Sequence, residues 1–178
     1  LEGSNRIVRV LGWNDSRLTF AEDSTGSLNV QLGIHVNDNV VLTIAGGRIE
    51  ARNELWAVPI GGLPGSFVCS NSLVTITGGY VWATNVYGTT AGIGGAFRRQ
   101  ARMIHISGGT VRANGWSDIG PAREGTANQV MFTGGSIIGM RSNSVVPAPT
   151  NAAGEAVHCL TLTGLAPSNA VVFAGLPE

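Results

Sequence analysis

The stretch VTITGGYVWATN, residues 74–85, decides the fold, because the chain writes it four times. The other copies are LTIAGGRIEARN (42–53), IHISGGTVRAN (104–114) and VMFTGGSIIGM (130–140). Their glycine pairs, Gly46/Gly47, Gly78/Gly79, Gly108/Gly109 and Gly134/Gly135, are spaced by 32, 30 and 26 residues. A period in that range marks a repeat architecture. Each copy alternates apolar and polar residues up to the glycines and alternates again beyond them. That pattern reads as a strand, a corner and a strand. Glycine suits the corner because it reaches backbone angles that a Cβ forbids.

A weaker echo follows each corner. Pro59-Ile60-Gly61-Gly62, Gly92-Ile93-Gly94-Gly95 and Asp118-Ile119-Gly120-Pro121 place an isoleucine 14, 15 and 11 residues after the first glycine. One repeat is then a hinged strand pair, a polar excursion of variable length and a short third strand. Such units, stacked in register about 4.8 Å apart, form a parallel β-solenoid. Helical repeats of similar period are excluded by the glycines and by the lack of a 3.6-residue pattern. The expected fold is all-β, a single-stranded parallel β-helix of about five or six coils with irregular terminal caps.

The 178 residues read as one domain. Residues 1–39 are expected to form an irregular N-terminal coil or cap, without a glycine pair but with short strands around Arg6–Leu11, Ser16–Phe20 and Ser27–Leu32. Residues 40–140 carry the regular coils. In residues 141–178, Val145–Asn151 reads as a proline-bearing extended connector, and two strands follow, around Val157–Thr163 and Ala170–Phe173. This last part is either a cap or the start of a following domain.

Composition narrows the function. Eleven basic residues, all arginine, balance eleven acidic ones. Zero net charge argues against a nucleic-acid partner or a charged membrane-surface module. No apolar run approaches the length that spans a membrane. No signal-peptide pattern is visible, and Leu1 reads as a mature or trimmed start. Cys69 and Cys159 are core residues or a disulfide. No metal-ligand spacing and no cofactor motif occurs.

The runs TITGGYVWATN and AGIGGAF, followed by PAPTNAAGEAVHCLTLTGL, resemble glycine-rich β-solenoid repeat regions of large secreted, adhesin-like or carbohydrate-binding bacterial surface proteins. The likeness covers residues 40 to about 165. It implies an extracellular or cell-surface location and a polysaccharide or host-surface glycan as partner, and it brings no catalytic residues with it.

The residues themselves offer several candidate sites. Trp56, Tyr87 and Trp116 fall 10, 9 and 8 residues after the first glycine of their copies and could form a ladder of rings for stacking on sugars, or simply pack. Trp82 alternates out of phase with Val81 and Ala83, so it is expected to face solvent. Arg98, Arg99, Arg102, Arg112 and Arg123 gather near the third copy, where they either hold an acidic polysaccharide or bridge to Asp118 and Glu124. Asn53, Asn85 and Asn114 are expected to stack as an internal hydrogen-bonding ladder, with ligand contact as the alternative.

Catalysis by a polysaccharide lyase or hydrolase needs clustered acids. The regular coils hold only Glu50, Glu54, Asp118 and Glu124, and the counterparts of Glu50 in the next copies are Trp82 and Arg112. The expected function is therefore non-catalytic: a rigid extracellular module for carbohydrate binding or adhesion. The alternatives are a scaffold or filament subunit in which copies stack through their solenoid ends, or a fragment of a polysaccharide-degrading enzyme.

Overall fold

Alternating strands linked by glycine corners must bury one face each, and stacking successive turns of one chain does this. The computed structural model describes residues 10–12, 17–36, 39–53, 57–62, 73–98, 100–139 and 145–157. Among them are fifteen strands, which fall into five coils of three. The first coil is β1 (Val10–Gly12), β2 (Arg17–Phe20) and β3 (Ser27–Val30). The second is β4 (Ile34–Val36), β5 (Val41–Ile44) and β6 (Arg48–Asn53). The third is β7 (Ile60–Gly61), β8 (Leu73–Ile76) and β9 (Tyr80–Asn85). The fourth is β10 (Ile93–Gly94), β11 (Gln100–Ile106) and β12 (Thr110–Asn114). The fifth is β13 (Ile119–Gly120), β14 (Thr126–Phe132) and β15 (Ser136–Gly139).

Each coil gives one strand to each of three sheets, ordered β1-β4-β7-β10-β13, β2-β5-β8-β11-β14 and β3-β6-β9-β12-β15. These are sheets A, B and C, respectively. All neighbouring strands are parallel. The fold is the expected parallel β-solenoid.

The core is built of columns. Sheet B stacks Leu18, Leu42, Val74, Ile104 and Val130, and beside them Phe20, Ile44, Ile76, Ile106 and Phe132. Sheet C stacks Leu28, Ile49, Val81, Val111 and Ile137, with Val30, Ala51, Ala83 and Ala113 alongside. Sheet A contributes Ile34, Ile60, Ile93 and Ile119, the echo seen in the sequence. These columns meet in one buried cluster. Each isoleucine so buried contributes about 1.5–3 kcal/mol relative to exposure.

The two glycines of each corner are needed for different reasons. The first is crowded: a methyl at Gly78 would strike the Ala45 carbonyl of the coil below, and one at Gly108 the Thr77 carbonyl. The second turns the chain, with φ of 76°, 73°, 75° and 86° at Gly47, Gly79, Gly109 and Gly135. In the first coil the same corner is longer, Ala21–Gly26, yet β2 and β3 keep their register with β5 and β6 on either side. Residues 17–30 are thus in register with the second coil, more regular than the missing glycine pair suggests.

Val145 to Val157 also differ from the expected connector. Val145 pairs in parallel with Ile119, and Thr150 pairs in parallel with Met131, so this segment opens a sixth turn. Thr150 then bridges antiparallel to Ala156. The turn between them is held by Asn151, whose Oδ1 accepts from the Ala153 and Glu155 amides at 2.9 Å each. Of the strand read at Arg6–Leu11, residues 6–9 lie outside the described residues, as do all residues from His158 onward and both Cys69 and Cys159.

Candidate functional site

Two surfaces carry the aromatic residues singled out in the sequence. The first is the outer face of sheet C. Alternation along β9 buries Val81 and Ala83 and turns Tyr80 and Trp82 outward. Register places Arg48, Tyr80 and Thr110 in one outward column and Glu50, Trp82, Arg112 and Ile138 in the next. The predicted counterparts of Glu50 are therefore its neighbours in space, and no acidic column forms there.

Trp82 faces solvent as expected and is 36% exposed. One face of its ring is engaged, with the Arg112 guanidinium 5.2 Å from the ring centroid. Arg48 lies over Tyr80 at 4.6 Å and binds Glu50 through its Nε at 2.7 Å. Such cation–π contacts contribute about 0.5–1 kcal/mol at exposed sites. They leave less open ring surface here than the alternation alone suggests. Tyr80 was missed in the sequence, although its position two residues before Trp82 puts it on the same face.

The second surface is the corner leading from sheet C to sheet A. Tyr87 and Trp116 sit there on consecutive coils and are the most open aromatic rings among the described residues, at 67% and 54% exposure. Their loops are held by specific bonds. Asn85 accepts the Gly88 amide at 2.6 Å and donates to the Ala57 carbonyl at 3.2 Å. The Val86 amide donates to Asn53 O, and the Trp116 amide to Thr90 O at 2.8 Å. Thr90, fully buried, donates from Oγ1 to the same Ala57 carbonyl at 3.1 Å. Trp56, the proposed third rung, lies outside the described residues.

The asparagine ladder is shorter than expected. Asn53 and Asn85 are in register and buried, and each donates to a carbonyl of the coil below, Leu32 and Ala57. Asn114 is instead paired with Thr84 and half-buried, which makes the predicted three-rung column a two-rung one. Its offset of +6 rather than +7 from the glycine pair explains this, since one residue along a strand changes the face.

The arginines are mostly spoken for. Arg98 binds Glu124 at 2.8 Å, and Arg123 approaches the same carboxylate to 3.9 Å. Arg123 also lies 5.6 Å from the Trp116 ring centroid. The bridge from the basic cluster to Glu124 is thus formed, whereas Asp118 is fully buried. Arg99 and Glu54 lie outside the described residues, and nothing is described of the Arg102 side chain. His105 occupies the Thr43/Thr75 column and bonds Thr133 Oγ1 at 3.0 Å. Among the described residues no three His, Cys, Asp or Glu side chains form a group that could hold a metal ion. No helix among them is long and apolar enough to cross a membrane.

No protein-family model, curated protein or solved structure matches this chain.

Proposed function

We propose that this solenoid is a non-catalytic carbohydrate-binding module of an extracellular or cell-surface protein, and that Tyr87 and Trp116 are its principal contacts. One observation carries the reading. Among the described residues, the two most exposed aromatic rings stand on consecutive coils at the same corner, on loops pinned by hydrogen bonds to the coil below. A ring held in water by a rigid loop keeps its apolar area available for an apolar partner. The C–H face of a pyranose is such a partner, and little ordering entropy remains to oppose its binding. Tyr80 and Trp82 on the outer face of sheet C extend the aromatic surface, with less open ring.

The test is retention of the chain in gels containing soluble polysaccharides. Retention is expected for the unaltered chain, with Tyr87→Ala and Trp116→Ala each weakening it roughly two- to tenfold, the size of one aromatic contact. Unchanged retention in both variants would remove these rings from the site.

A further inference from the structure

Resting on that reading, we infer that Trp116 and Arg123 form a subsite for an acidic sugar unit, one that carries a carboxylate or a sulfate. Both residues are fixed to one short stretch of the coil below. The Trp116 amide donates to Thr90 O at 2.8 Å, and the Arg123 amide to Thr89 O at 3.2 Å. Their side chains rise from adjacent anchor points and stay open, the indole 54% and the guanidinium-bearing chain 56% exposed.

The charge around them is unbalanced in favour of an anion. Glu124 is the carboxylate at hand, and it is taken by Arg98 at 2.8 Å. Arg123 reaches it only to 3.9 Å, too far for a hydrogen bond. Among the described residues, two guanidinium groups therefore face one carboxylate, leaving one positive charge beside the indole. Asp118 of the same corner is fully buried and engaged within the protein.

The arginine–aromatic contact here is also looser than its counterparts. It measures 5.6 Å, against 4.6 Å for Arg48–Tyr80, 5.0 Å for Arg98–Phe97 and 5.2 Å for Arg112–Trp82. A sugar stacked on the indole projects its acidic group past the ring margin, where a planar guanidinium can take both oxygens. A neutral sugar uses the ring alone. The pair thus separates acidic from neutral polymers.

The experiment is affinity electrophoresis of the full chain against polygalacturonate, dextran sulfate and a neutral glucan, at low and high salt. Each variant is checked by circular dichroism for an unchanged melting curve. Retention by the acidic polymers is expected to exceed that by the glucan and to fall with salt, because the exposed charges are screened. Arg123→Gln should weaken acidic binding about ten- to hundredfold, the range of a charge-assisted hydrogen bond, and leave glucan binding unchanged. Arg123→Lys should restore part of the loss, and Trp116→Ala should weaken both kinds of binding. An Arg123-dependent preference for dextran sulfate over polygalacturonate supports the subsite and assigns sulfate as the acid; the reverse assigns carboxylate. Equal retention by glucan and acidic polymers, with Arg123→Gln silent, overturns the acidic subsite while the aromatic reading stands. Absence of retention by every polymer overturns both.

Discussion

Arg98 and Glu124 stand at the same place on consecutive coils, share a left-handed backbone with φ of 58° and 57°, and are joined by an ion pair at 2.8 Å. Asn39, at φ 60°, holds the equivalent place in the second coil, five residues after its isoleucine as they are after theirs. A left-handed residue with a side chain costs about 1–2 kcal/mol, and an exposed ion pair returns only about 0.2–1 kcal/mol. Strain therefore outweighs the bridge. Glu124→Gly is expected to match or exceed the parent in urea unfolding, and to exceed Glu124→Val by at least about 1 kcal/mol, since valine keeps the strain and loses the pair. Equal midpoints for the two variants would contradict this.

The glycines should form a graded series. Gly26 has open space where a Cβ would go and no left-handed φ, so Gly26→Ala is expected to be neutral or slightly stabilising. Gly88 has equal space but a φ of 65°, and alanine there should cost about 1–2 kcal/mol. Gly94 has a φ of 137°, and an added methyl would strike the Gly120 carbonyl of the next coil. Gly94→Ala should cost more than either and broaden or abolish the cooperative transition. Chemical denaturation of the three variants side by side checks the order.

Asn85 and Asn114 should behave differently despite their matching look in the sequence. Asn85→Ala takes the acceptor from the Gly88 amide, at about 1–3 kcal/mol for the group left unpaired, while the Ala57 carbonyl loses one donor and keeps Thr90 Oγ1. Asn114, half-buried and outside that column, should tolerate alanine within about 0.5 kcal/mol. A comparable loss at both positions would restore the three-rung ladder.

Trp82 offers a comparison between surfaces. With Arg112 over its ring and Glu50 in register on the other side, its removal should weaken polysaccharide retention less than the removal of Trp116. Trp82→Ala should instead lower stability by about 0.5–1 kcal/mol through the lost Arg112 contact. Retention assays and thermal melts on the two single variants decide the matter.

The sequence made the coil count, the register and the inward face of each strand legible, because glycine pairs and period-two alternation act over a few residues. It also placed Trp82 outward and His105 in the Thr43/Thr75 column. Other features depended on contacts between coils, which no local pattern reports. Arg98 and Glu124 give no sign of a left-handed backbone, because neither residue type favours it. The engagement of Trp82 by Arg112 and of Trp116 by Arg123 is set by what stands on neighbouring coils. Asn114 leaves the column for a different reason: its offset from the glycine pair is one residue shorter than that of Asn53 and Asn85, and this places it opposite Thr84.

The first coil makes its turn from sheet B to sheet C through Ala21–Gly26 instead of a glycine pair, without disturbing the pairing on either side. Hairpin-like excursions at that vertex are therefore decoupled from the lattice that carries them. A foreign peptide spliced in at Gly46–Gly47 would inherit a fixed pedestal, and several such grafts would be spaced in steps of one strand separation, about 4.8 Å. The protein is in this sense a ruler whose graduations can each bear a different load.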